Sequence, residues 1–572
     1  MRRPRFLPLA AAAILLAAPL GADEMRGTVE VAGRSTSTDG NTTLAAQYRD
    51  IDSGTELRAA IEGAFEELYL ALAADLRSDS DQRVSLTVDA SRLVRSHTTY
   101  TRLPHRLPHD PLDNLRGSIS DVKVVWSTDL EPAAQYGIRW DELTNTNEFQ
   151  IASLPWLTVT TDLREQWRQG HEQSLALSHC SSCHVQSQGR EVNEHTREAG
   201  ITARASFGRW SATARVGQRD LRERAPSPTR TYELVEQPAL RTPLFRDRMQ
   251  YDARNGALAY DVVPTTSKDV ARVELANGNL GGFAVSLAGV KTRLTNTATD
   301  NEVEYRGASL LLARRMGTKG NLALRARTYS ISSTDYFVDT TEPAAVAGPY
   351  AGKTYRERYG LDPDFLRQSA IDRSVQEAMA RYTYRLHPGS TLTAQYDVRA
   401  TDRDTYQVAV GDTATLEQRL RLTYTLRPAK GFTLRAAAAY ADIQHPFAIL
   451  DGACTLESLQ TTPTSSPLVP GSVQYWQIHQ GRVADLSASP SSWAELKLAG
   501  TYQLGTSSMA ALSLRYWDGT NTDQDLNHWS RTLTAATATW NWAPVEDSEI
   551  HVAASYGTRE LEQHICIPLM DG

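Results

Sequence analysis

Along most of this chain apolar and polar side chains alternate with a period of two, the spacing that puts successive residues on opposite faces of a strand. From Leu392 to Ala400 every even position is apolar and every odd position polar. From Leu416 to Arg427 the even positions are apolar except Gln418, while Glu417, Arg419, Arg421, Thr423, Thr425 and Arg427 take the other face. Phe432, Leu434, Ala436, Ala438 and Tyr440 form a further apolar face. So do Ala494, Leu496, Leu498, Gly500, Tyr502 and Leu504, set against Glu495 and Lys497. Segments of ~10 residues with one apolar and one charged face are the pattern of a membrane β-barrel. A soluble sandwich or propeller also alternates, but globular strands average ~5–6 residues. The apolar faces here hold Ala, Leu, Tyr and Gly rather than bulky Ile or Phe, as a lipid-facing surface tolerates. The expected fold class is all-β: a large antiparallel transmembrane β-barrel.

The connections give the orientation. Tight turns recur at Met316–Gly320, His387–Ser390, Pro428–Gly431, Gly505–Ser508 and Ala543–Ser548. Proline sets such a turn and glycine relieves it. Long polar connections fall near residues 220–267, 330–374 and 443–494. Outer-membrane barrels have short periplasmic turns and longer outer loops, which assigns the two sets. Hairpin counting predicts about fourteen strands after residue 200 and about eight before 170, within a total of about 20–26. The expected organisation is a signal peptide over 1–22, N-terminal barrel strands over 23–169, a loop over 170–199, and the main barrel hairpins over 200–572.

Composition narrows the class. Hydrophobic residues are 41 % and charged residues 22 % of 572. After residue 22 no apolar run reaches the ~18 residues of a membrane helix. Sixty basic against 67 acidic residues give net charge −7, which does not suggest a nucleic-acid binder. Met1-Arg2-Arg3-Pro4-Arg5 followed by apolar Phe6 to Leu20 and small Gly21-Ala22 reads as a secretory signal, removed on export beyond the inner membrane; with the barrel pattern, the expected location is the bacterial outer membrane and its lipid bilayer. The last predicted strand, Ile550 to Tyr556, runs outward, and the chain ends without the aromatic residue usual for such barrels. The expectation is that the final strand is missing.

One motif carries chemistry. His179-Cys180-Ser181-Ser182-Cys183-His184 contains C-x-x-C-H, the attachment motif of c-type haem. In that reading the thiols of Cys180 and Cys183 bond the porphyrin, His184 is the proximal iron ligand, and His195, His171 or His179 is the distal candidate, with His195 reaching best. A disulfide between Cys180 and Cys183 is the plainer alternative, and a zinc site a third. Cys454 and Cys566 are candidates for a second disulfide. No nucleophile–base pair or phosphate loop stands out, so the barrel is not expected to be an enzyme.

Tyr48 to Gly54, Tyr100-Thr101-Arg102-Leu103-Pro104-His105, the C-x-x-C pair and the repeated Pro/Gly hairpins together resemble the MtrB/PioB family of decahaem-cytochrome-associated outer-membrane barrels. The resemblance implies a barrel that sheathes a periplasmic multihaem c-type cytochrome and passes electrons toward an extracellular multihaem cytochrome or mineral. In this reading inward Arg381, Arg385, Arg399, Arg419, Arg421 and Arg435 meet that cytochrome, or pair with Glu377, Asp397 and Glu417 on the same face. The other function consistent with the pattern is a passive porin or substrate transporter, with Cys180–Cys183 a loop disulfide.

Overall fold

The computed structural model describes residues 24–563 apart from 38, 40–42, 44–46, 113–115, 120–121, 126, 178–184, 232–256, 339–351, 355–356, 358–364, 368–370, 404–413, 447–489, 522–528 and 546–547. The expected signal peptide, Cys454 and Cys566 lie outside the described residues. The fold is all-β, a large antiparallel transmembrane β-barrel with 22 strands in one sheet. Two compact units are distinguished, one of residues 1–273, 292–302 and 340–363, the other of 274–291, 303–339 and 364–572.

The first unit holds β1 (Glu24–Arg34), β2 (Gly54–Phe65), β3 (Leu68–Leu76), β4 (Gln82–Ala90), β5 (Val94–Arg106), β6 (Arg116–Ile119), β7 (Val122–Val125), β8 (Ser127–Asp129), β9 (Gly137–Gln150), β10 (Leu157–Leu177), β11 (Val185–Phe207), β12 (Trp210–Glu223), β13 (Thr229–Thr231) and β14 (Ala257–Ala259). Strands β1 to β5 pair in sequence, β5 pairs with β9, and β9 to β12 continue the series, all antiparallel. β6–β7 and β13–β14 are separate ribbons. β15 (Thr266–Leu280) and β16 (Phe283–Asn296) contribute to both units.

The second unit continues with β17 (Glu302–Met316), β18 (Gly320–Ser333), β19 (Tyr336–Val338), β20 (Phe365–Arg367), β21 (Arg373–His387), β22 (Ser390–Asp402), β23 (Thr415–Leu426), β24 (Phe432–Gln444), β25 (Ser492–Gln503), β26 (Ser508–Asn521), β27 (Trp529–Val545) and β28 (Ser548–Gln563). β17 pairs with β18, β18 with β21, and β21 to β28 pair in sequence. β19 and β20 make a two-stranded ribbon within the long connection from β18 to β21.

The alternation read from the sequence becomes two faces. On the outer face of the second unit, Tyr396, Leu420 and Tyr440 share one register row, and Leu422, Leu496 and Tyr516 lie in the next. These side chains are large, apolar and exposed, as lipid contact requires. Toward the tight-turn end the face turns aromatic. Tyr382 stacks on Tyr384 (6.2 Å), Trp540 on Trp542 (5.7 Å), and Phe432 meets Tyr502 edge-on (5.9 Å). Amphipathic rings at that level fit the membrane–water boundary.

The turns are where the sequence placed them. Gly389 and Gly431 have φ of 86° and 83°, which favours glycine. A Cβ on Gly389 would lie 2.6 Å from the Arg427 carbonyl oxygen. In each unit short turns alternate with longer connections along the chain; the long ones fall between Glu223 and Thr266, Ser333 and Arg373, and Gln444 and Ser492.

One expectation is corrected. Residues 170–199, expected as a loop, are strand on both sides of 178–184. Here the strands are charged, and on one face the charges pair across strands. Arg164 pairs with Glu142 (2.6 Å), Arg168 with Glu194 (2.5 Å), and Arg190 with Glu172. The pairing of β9 with β10 ends at Gly137–His171, and that of β11 with β12 at Glu194–Glu223. β10 and β11 stay paired to Leu177–Val185, six residues or about 20 Å farther at ~3.3 Å each. A lipid-facing strand needs a continuous apolar face; here Leu175 and Val185 share a face only at the tip, and Gln173, His171 and Glu191 interrupt it.

The connection from β5 to β9 packs against that extended hairpin. β8 runs parallel to β11 through Ser127–Val185 to Asp129–Ser187. The Ser187 hydroxyl donates to Asp129 (2.9 Å), as does the Glu131 N–H (3.1 Å), and His109 Nε2 lies 2.6 Å from its other oxygen. Burial pushes the Asp129 carboxyl up, but the Glu131 N–H, Ser187 and His109 outweigh it and hold the pKa below the usual carboxylate range. A lowered carboxyl stabilises the docked form above its unfolded pKa, and loses that contribution as pH falls through the lower folded value. Backbone exchange over Leu130–Gly137, corrected for intrinsic rate, is therefore expected to rise from pH 7 to pH 3 in the native protein and to change little in Asp129→Asn.

Candidate functional site

The inner face is the candidate site. Strand register places Arg381, Arg385, Arg399, Arg419, Arg421 and Arg435 on the face opposite the lipid-exposed rows, as expected. Part of the expected carboxylate pairing is present. Glu377 lies 3.6 Å from Arg327 and 3.8 Å from Arg399, and Asp397 lies 3.2 Å from Arg419. Two tyrosines join this ladder: Arg327 donates to Tyr305 (2.8 Å) and Arg399 to Tyr329 (3.1 Å). Charged pairs of this kind, half in water, cost little and contribute little to stability. Their weight lies in the field they set along the wall.

The ladder continues on β25–β27, where the sequence showed Glu495 and Lys497 on the polar face but not their partners. Glu495 is 7 % exposed and holds both Lys497 (2.8 Å) and Arg515 (2.9 Å). Beside it Trp493 and Trp517 lie 6.3 Å apart, Trp517 meets Trp529 edge-on at 6.5 Å, and Arg531 covers the Trp517 ring. Gly519 makes room for this group, since a Cβ there would sit 2.5 Å from Trp517 Cη2. Glu495 and Lys497 are two apart and share a face, a signal visible in the sequence. The cross-strand tryptophans are not visible there, because their contact depends on register.

The first unit carries the same kind of inner ladder. Arg215 forks onto Asp162 (2.5 and 2.8 Å), and Arg95 reaches Asp89 (2.8 Å). At the base of the extended hairpin a buried network centres on Asp141. It accepts from Tyr100 (2.8 Å), Arg102 (2.5 Å) and Arg139 (2.8 Å).

Cys180, Cys183, His184 and His179 lie outside the described residues, between the ends of β10 and β11. His195 is described, and the structure does not place it as a distal haem ligand. It stacks on Trp167 (5.3 Å) and lies 3.5 Å from Glu165. His184 directly precedes Val185, and β11 runs from Val185 to His195 without a register break. Ten residues of strand span about 33 Å, far more than two histidines on one iron allow. His171, facing Glu191 in β10, is about 20 Å from the hairpin end by the same rise. Neither β10 nor β11 supplies a second axial histidine. Among the described residues no group of three His, Cys, Asp or Glu could hold a metal ion.

No family model matches the chain, and no curated protein matches it. It is similar in structure to the FrpB iron transporter from Neisseria meningitidis (F3-3 variant; 10 % identity, 87 % of this chain and 74 % of that one, TM-score 0.47). It is also similar to the copper transporter OprC (9 % identity, 94 % and 80 %, TM-score 0.45). A third is the siderophore receptor PirA from Acinetobacter baumannii (8 % identity, 90 % and 76 %, TM-score 0.45). The expected membership of the MtrB/PioB family is corrected accordingly: these are metal transporters and receptors, not cytochrome sheaths. The expected multihaem-cytochrome partner rested on that resemblance and has no support beyond it. The protein is an outer-membrane β-barrel in a lipid bilayer.

Proposed function

We infer that the barrel carries a polar solute across the outer membrane, as a substrate transporter. One observation supports this above the others. The inner face is charged and hydroxyl-lined from β18 to β27 while the outer face is apolar, so a polar solute on the inner side keeps hydrogen-bonding partners that lipid cannot offer. Liposomes holding the purified protein are expected to swell in isotonic solutions of a small sugar such as arabinose. Liposomes no more permeable than protein-free ones would remove this reading.

Cys180 and Cys183 are read here as a disulfide at the outer end of the β10–β11 hairpin, which needs no second ligand. Thiol alkylation before and after reduction, read by mass, is expected to show that pair modified only after reduction. Covalent haem on a stained denaturing gel would refute the disulfide and restore the haem at Cys180, Cys183 and His184.

A further inference from the structure

We propose that the inner face of β21–β24 binds oxyanions, solutes bearing carboxylate or phosphate groups, at a strip of arginines centred on Arg381 and Arg421. This rests on the reading of the inner face as the solute path.

The ladder described above has two halves. In the half toward the long connections two carboxylates are matched, Glu377 by Arg327 and Arg399 and Asp397 by Arg419, while Glu417, opposite Arg399 in register, makes no ion pair among the described residues. One register row closer to the tight turns the acids stop on these strands. That row reads Arg381, Gln395, Arg421 across β21, β22 and β23. The Gln395 amide nitrogen donates to both Asp397 oxygens, at 3.1 and 2.9 Å, and so screens the nearest carboxylate from the two arginines. In the next row Thr383 and Thr393 exchange a hydroxyl hydrogen bond (3.0 Å), with Thr423 beside them. Beyond them Arg435 faces Thr425 on β24. Among the described residues Arg381, Arg421 and Arg435 have no carboxylate within ion-pair distance, and Arg381 and Arg435 are exposed.

Arg381 and Arg421 stand two strands apart, about 10 Å between backbones. Their side chains are long enough to converge over Gln395. Left alone, two guanidiniums there repel each other. An oxyanion between them removes that repulsion and accepts forked hydrogen bonds from each, geometry that a guanidinium offers and an ammonium does not. Threonine hydroxyls add donors of the same sign preference. A neutral sugar gains nothing from unmatched positive charge, and a cation is repelled. The strip is thus opposite in sign to the chain as a whole, whose net charge is −7. Lumen charges tune selectivity in barrels of this kind.

The test is calorimetric titration of the full chain in detergent with pyrophosphate, and separately with citrate. Binding of either is expected, weakening as salt is raised because the arginines are solvent-facing. The double variant Arg381→Gln/Arg421→Gln is expected to bind at least about tenfold more weakly while keeping the gel mobility of the folded barrel. Arg559→Gln, an inner-face arginine on β28, is expected to bind as wild type. Pyrophosphate alone identifies phosphate as the preferred group, citrate alone carboxylate. No binding of either, binding unchanged in the double variant, or equal loss in Arg559→Gln would overturn the proposal. Liposome swelling fails separately: swelling without anion binding leaves the passage and removes the strip, and binding without swelling does the reverse.

Discussion

Replacing Gly170 by alanine is expected to open the sheet where the extended hairpin leaves its neighbour. A Cβ at this position would sit 2.0 Å from the Gly137 carbonyl oxygen and 2.9 Å from Ile138 Cα. Both obstacles are backbone, so no rotamer change relieves them, and β9 must move off β10. Overpacking of this kind costs about 3 kcal/mol or more when the main chain has to shift. The control is Gly137→Ala on the facing strand, whose new Cβ would meet only the His105 carbonyl at 3.4 Å. Urea unfolding in detergent, followed by the heat-modifiable gel shift, is expected to show a large loss for Gly170→Ala and a small one for Gly137→Ala. Equal behaviour of the two would show that the close approach of β9 and β10 is not what the glycine serves.

The second large effect is expected at Asp141. Its side chain is 8 % exposed and answers two guanidiniums and one phenol. Asp141→Ala leaves Arg102 and Arg139 facing each other and removes the carboxylate to which the buried Tyr100 hydroxyl donates. Removing one partner of a buried ion pair costs several kcal/mol, but both arginines keep some solvent and a second acceptor, the Asp79 carbonyl for Arg102 and Gln169 for Arg139. The expected loss is therefore about 3 kcal/mol. Adding Arg102→Gln to Asp141→Ala is expected to recover part of it, because one unmatched charge is then gone. Strict additivity of the two losses would show that the pair is not coupled.

These two sites differ in how they announce themselves. Asp141 and Arg102 are far apart in the chain, and nothing in Tyr100-Thr101-Arg102, quoted above only for a family resemblance, points to a shared carboxylate. Gly170 reads as an ordinary strand interruption inside a charged stretch. The expectation of a loop over 170–199 failed for the same reason. Alternation detects a strand only when one of its faces meets an apolar phase, and β10 and β11 outrun that phase. Past His171 neither face carries a continuous apolar band, and charged residues such as Arg190 and Glu172 face each other across the strands instead. The choice of His195 as a distal candidate has a related cause. His195 is near Cys183 in number, yet in an extended strand every residue adds distance, whereas a compact loop would have brought it back.

The inner arginines were legible because alternation assigns a face without knowledge of the neighbours. Which of them are matched was not. Arg419 and Arg421 look alike in Leu416–Leu426, but across the pair of strands one faces Asp397 and the other Gln395. The sequence by itself determined the strand period, the two chemically opposed faces, the tight turns and the membrane the barrel belongs to, because each depends on residues within a few positions of one another. Only the tertiary structure decided which charge sits beside which, where two strands outgrow the sheet, and where tryptophans gather. Those follow from register, and register is a property of strand pairs fixed by turns and distant partners together.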